Sequence, residues 1–384
     1  MSETLLRRLT TVASGFVLLA TIGCGVAEND ATDHVDQTQG AISGGWTTLP
    51  LINGWQAAGG SYHAPAVGKV NGVVVFRGAM KATNPTSTHA FNLPTAFQPS
   101  DMYGSVGGTS VKMKVVLSGG EGGTLWHDYL VGGPGTMKIS QDGMQYEAVG
   151  QAAMTLTVLD GASFDATIGT PIATDWVGHY GFRIGMDPFD SRAWAKIVDG
   201  FVRFQGLIVP PDPGYANNYM FTLTDSAMIP GNMVLVYANI GLDINSWSWI
   251  TIYPSGQVWV DGNNPDAWTK GVSLEGVSFS KTLTGNQLLP MSNGWTHYSA
   301  RQARVGKYGD VVRFQGAVKN GTTTTIGTLP LSMRPTKTVK LPTIVYATTG
   351  TITITSTGVM TITNPGGLDN ATLFTSLDGV SFGL

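Results

Sequence analysis

Three acidic residues, Asp160, Glu275 and Asp378, each stand between a leucine and a glycine, in LDGASF (159–164), LEGVSF (274–279) and LDGVSF (377–382). Paired carboxylates are the working groups of glycoside hydrolysis, one protonating the leaving oxygen and the other acting as base or nucleophile. A place directly before glycine points instead to a turn, where an acid caps nearby backbone amides. The six histidines, His34, His63, His89, His127, His179 and His297, have no metal-ligand spacing to one another or to the sole cysteine. No nucleophile elbow, phosphate loop or regular calcium loop occurs, and DGNNPD (261–266) reads as a turn. The sequence therefore assigns no catalytic residue, no metal site and no cofactor.

Two aromatic clusters suggest binding rather than catalysis. Trp126, His127, Asp128 and Tyr129 lie between glycine clusters in GGEGGTLWHDYLVGG (119–133), and Phe189, Arg192 and Trp194 lie in GMDPFDSRAW (185–194). Aromatic faces stack on sugar rings, and a neighbouring Asp or Arg bonds hydroxyl groups. These seven residues are the candidate ligand contacts. The competing expectation is that both loops fold their aromatics onto their own core.

The elements that would carry these loops recur three times along the chain. Each copy opens on a tryptophan (Trp55, Trp176, Trp295) and continues into an apolar strand, VVVFRG (73–78), FVRFQG (201–206) or VVRFQG (311–316). FNLP (91–94), FTLT (221–224) and GTLP (327–330) follow, then a hairpin and the Leu-acid-Gly-x-Ser-Phe phrase. In the third hairpin, Ile352 and Ile354 alternate with Thr353 and Thr355, a period of two that indicates strand. Gly143, Gly256 and Gly358 are expected in the hairpin turns. The first copy is out of phase by one residue there, which predicts a bulge or a shortened turn.

The copies are 110, 104 and 88 residues long from Trp to final Phe, the size of a β-sandwich with one core. Charged residues make up 12%, against roughly 25% in an average soluble chain, and glycine numbers 51 of 384; both fit a turn-rich β protein. The reading is all-β, with three tandem sandwich or jelly-roll-like modules over 44–165, 166–280 and 281–384. A net charge of −3 with no basic stripe excludes a nucleic-acid partner.

Ahead of the modules, Arg7 and Arg8 precede an apolar run from Leu9 to Ile22, too short to span a bilayer and of the form of a secretion signal. Cys24, in LLATIGCG, makes residues 1–24 resemble a bacterial lipoprotein signal, which implies acylation of that cysteine. Cleavage after Ala27 is the alternative. Residues 25–43 are polar and aperiodic, as a flexible tether would be. The expected location is the outer membrane or cell surface through a lipid anchor, or else the secreted fraction.

The early Trp, the VVRFQG strand, TLPLSMRP (328–335) or NLPTAFQP (92–99), and the closing SLDGVSF (376–382) together resemble the C-terminal head module of bacteriophage tail-fibre and baseplate receptor-binding proteins. The resemblance implies a sandwich knob that recognises a cell-surface glycan or protein, commonly as a trimer. A non-enzymatic recognition protein is thus expected, built as a monomer with pseudo-threefold packing or as a homotrimer. A polysaccharide-degrading enzyme of phage-spike type and a scaffold protein without a ligand are the alternatives.

Overall fold

The computed structural model describes residues 42, 45–83, 89–98, 110–117, 133–140, 143–145, 156–166, 169–173, 177–178, 193–210, 218–240, 247–260, 271–281, 287–346, 348–365 and 367–384. The chain is all-β, with antiparallel strands throughout. Each third holds a four-stranded sheet, formed in the last third by Gln287–Leu288, Arg304–Tyr308, Val311–Gln315 and Ser381–Gly383. A larger sheet covers it, in the order Thr296–His297, Ala317–Lys319, Thr375–Ser376, Val339–Val345, Thr348–Ile354, Val359–Thr363, Thr325–Thr328. The middle third repeats this seven-strand order, and the first third repeats it over the six strands found among its described residues. One core lies between each pair of sheets, as in a sandwich.

The repeated apolar strand shows why its sequence alternates poorly. Val312 and Phe314 point into the core of their own sandwich, while Val311 and Arg313 are buried on the opposite face. Val74 with Phe76, and Val202 with Phe204, take the same inward positions. A strand buried on both faces carries no clean polar period.

The hairpins agree with the sequence in copies two and three and depart from it in copy one. Gly256 and Gly358 sit in the turns at φ of 85°. Gly143 instead begins the Gly143–Gln145 strand, paired with Ser140. Four residues separate the paired Ile139 and Met144, against five between Ile252 and Val258 or Ile354 and Met360. The phase difference is therefore a shortened turn. Among the described residues a short α-helix, Gly367–Leu373, packs the buried Ala371 onto the third core.

Trp55 and Trp295 are framework residues, 5% and 4% exposed; Trp176 lies outside the described residues. Trp295 Nε1 donates to the Thr323 carbonyl at 2.9 Å. A side chain at Gly321 would meet the indole within 2.0 Å, so the ring fills its site completely. Trp295→Ala is expected to cost about 3–5 kcal/mol, measured as a shift of the denaturant midpoint.

The three sandwiches are joined by a cyclic set of contacts. A Cβ built on Gly161 would lie 3.0 Å from the Ser381 carbonyl oxygen, one on Gly379 would lie 2.7 Å from that of Ser278, and one on Gly276 would lie 2.9 Å from that of Ser163. Each glycine follows the repeated acid, and each serine belongs to the same phrase in another copy. The contacts run from copy one to three, three to two and two to one, which closes a ring. The equivalent long strands Ser110–Leu117, Val234–Ile240 and Val339–Val345 also touch one another in all three pairings.

A second layer of contacts reinforces the ring. Arg203 Nε pairs with Asp165 at 2.9 Å, and Arg313 pairs with Asp199 at 3.8 Å while its guanidinium lies 4.1 Å over the Phe201 ring. Between copies one and three, Arg77 Nη1 and Trp46 Nε1 donate to the Leu384 carbonyl at 2.9 and 3.2 Å. Val75, Arg203 and Arg313 occupy one position of the repeat. Burial lowers Arg313 to about 10, with the nearby Arg203 charge adding to the shift.

Candidate functional site

Trp126, His127, Asp128, Tyr129, Phe189 and Arg192 lie outside the described residues, as do Cys24 and the tether apart from Ile42, which is buried beside Val70 and Val311 rather than free. Trp194 is described, and it is not in a loop. It belongs to the Ala193–Val198 strand, opposite Pro171 and Gln205, and is 7% exposed. Its position corresponds to Ala66 and Arg304 of the other copies. Counting the residues before FVRFQG as an insertion placed the loop boundary too late, because the strand already starts at Ala193.

The repeated acids have a structural duty. Asp160 Oδ1 accepts from the Gly78 amide at 2.8 Å, Glu275 Oε1 from Gly206 at 3.1 Å and Asp378 Oδ1 from Gly316 at 2.7 Å. Each glycine ends the repeated apolar strand, so the acid fixes the crossing from the small sheet to the large one. These amides lie 82, 69 and 62 residues away in sequence rather than within the turn that holds the acid. Asp378 Oδ2 also accepts from the Leu235 amide of copy two at 3.4 Å and pairs with Arg301 Nη2. One carboxylate thus serves its own module and its neighbour.

Asp160 is fully enclosed, and burial raises its carboxyl to about 7 against the opposing pull of the Gly78 and Lys340 amides and the Arg77 charge. Between the ordinary value of 3.8 and about 7 the folded chain binds more protons than the unfolded chain at this group. Its contribution is then greatest at low pH and is lost as pH rises through that window. Asp160→Asn removes the titration. The stability of the parent relative to this variant should decline between about pH 4 and about pH 7, read from paired melting curves. A difference that stays constant across that range would contradict the shift. His63, held low by burial, Arg77 and Lys337, is present in both proteins.

The seam between copies two and three contains a pocket of about 140 Å³. Lys281, Arg301, Arg304 and Asp378 line it together with Pro230 and Asn232. The sequence did not single out these residues. The available signal was the comparison of IPGNMV (229–234) with RPTKTV (334–339), in which copy two lacks both cations of copy three. Among the described residues, no group of three or more His, Cys, Asp or Glu side chains is placed to hold a metal ion, and no helix is long and apolar enough to cross a membrane. Compared with protein-family models, curated protein sequences and solved structures, the chain matches none.

Proposed function

We propose that this chain is a surface-tethered, non-enzymatic recognition protein that binds glycan. The supporting observation is a division of labour within the repeat. What recurs in all three copies is committed to the frame: Asp160, Glu275 and Asp378 hold the strand-ending glycine amides, and the glycines after them abut the next copy. What differs between copies is the intervening sequence, including the aromatic clusters around Trp126 and Phe189. A rigid frame with divergent loops is the usual construction of a binding module. The resemblance to phage receptor-binding heads supports the same reading.

The purified full chain on a glycan array, with product analysis of every hit, tests it. Binding without cleavage supports recognition, cleavage products indicate the degrading enzyme, and binding to nothing leaves the scaffold reading. Trp126→Ala should weaken a hit without lowering the melting temperature. We further propose that one chain is the working unit, because its own three copies supply all the seams; light scattering that returns an obligate trimer would overturn this. Acylation of Cys24 predicts that the protein partitions with membranes and that Cys24→Ala releases it. Recovery of the parent in the soluble fraction, beginning at Glu28, would instead indicate cleavage after Ala27.

A further inference from the structure

Equivalent segments build the seams, yet two of them close differently. Where copy three meets copy one, RPTKTV (334–339) lies on residues 60–63. The Thr338 amide donates to the Ser61 carbonyl at 2.8 Å, Lys337 Nζ donates to the Gly60 carbonyl at 3.1 Å, and Thr336 Oγ1 shares a hydrogen bond with His63 Nε2 at 3.2 Å. Where copy two meets copy three, the segment is IPGNMV, with Gly231 and Asn232 in place of Thr336 and Lys337. Arg301 stands at the position of His63, as the Ala79 and Ala317 amides donate to the carbonyls of His63 and Arg301 alike. The seam that direct bonds seal in one case holds the pocket of about 140 Å³ in the other.

Three cations, Lys281, Arg301 and Arg304, line this pocket, and the acid beside them is already engaged by the Gly316 amide and Arg301 Nη2. Arg301 is 7% exposed, and its Nη1 has no hydrogen-bond partner. A buried guanidinium nitrogen without an acceptor is unfavourable and marks a place for one. Lys281 is steadied by its Nζ bond to the Ser226 carbonyl at 2.6 Å. A planar carboxylate complements such a site, since guanidinium groups bind it through directed N–H donors. The volume exceeds that of a single water but is below the about 300 Å³ at which drug-sized sites begin. It therefore admits the charged end of a ligand, with Pro230 and Met233 available to the adjoining carbons.

We propose that this pocket holds the carboxylate of an acidic sugar, a uronic acid residue of a glycan; the sugar part of the assignment rests on the recognition reading above. Titration calorimetry of the full chain with glucuronate, glucose and acetate tests it. Glucuronate should bind saturably and more tightly than acetate, with no binding of glucose. Arg304→Gln should weaken glucuronate by about tenfold or more, the usual effect of losing a charged hydrogen bond. The double variant Gly231→Thr with Asn232→Lys installs the two residues whose side chains bond across the sealed seam and should abolish binding while melting at or above the parent temperature. No saturable glucuronate binding, or binding untouched by both variants, overturns the pocket assignment. Equal affinity for acetate and glucuronate overturns the sugar. Array hits confined to neutral glycans remove this assignment and leave recognition standing, whereas a chain that binds glucuronate but no glycan removes the recognition reading and with it the sugar.

Discussion

Gly379→Ala is expected to loosen the seam between copies two and three and to lower stability by about 2–5 kcal/mol. The glycine has φ of 72°, where an alanine is strained, and the new methyl group would stand 2.7 Å from the Ser278 carbonyl oxygen and 3.3 Å from Val236. Backbone on one side and a packed valine on the other leave the seam to open. Gly72→Ala separates the two causes, because Gly72 has φ of 81° with nothing within 4 Å of its would-be Cβ. The control should show only the backbone strain, about 1–2 kcal/mol. Melting curves give the energies, and small-angle scattering should show expansion for Gly379→Ala alone. Equal losses for both variants would mean that the contact with Ser278 contributes nothing.

The second large effect is expected from Asp378→Ala. Its carboxylate accepts from the Gly316 and Leu235 amides and from Arg301, which is 7% exposed. Removing it strands a buried guanidinium, for which losses of about 3–5 kcal/mol are usual. Asp378→Asn keeps an acceptor for Gly316 and should fall between the parent and the alanine variant. Combining Asp378→Ala with Arg301→Met removes the stranded charge and should recover part of the loss. A double variant no better than Asp378→Ala alone would show that the amide bonds carry the whole effect.

The triplication, the strand character and the turns at Gly256 and Gly358 were legible because they rest on local signals: a fixed order of landmarks, a period of two and glycine at positive φ. The one-residue phase difference in copy one was legible too, and the structure accounts for it by pairing Ser140 with Gly143. The reach of the acids was not. Their turn position pointed to a capping role, but the amides they hold lie far along the chain, and spacing carries no trace of them. Trp194 was misplaced because FVRFQG is easy to see and the strand before it is not. The Lys281, Arg301 and Arg304 pocket was the least legible feature, since it exists only where segments from two copies meet.

The ring also has a consequence for dilution. A homotrimeric knob exchanges and dissociates as its concentration falls, so a few copies on a surface would not hold their quaternary form. Here only 11 and 15 residues lie between one phenylalanine and the next tryptophan, Phe164 to Trp176 and Phe279 to Trp295. Short connections of this kind hold their ends at effective concentrations in the millimolar range. The closure contributed by Gly161, Gly276 and Gly379 is then independent of how many molecules are present, and a single isolated molecule would keep its seams shut.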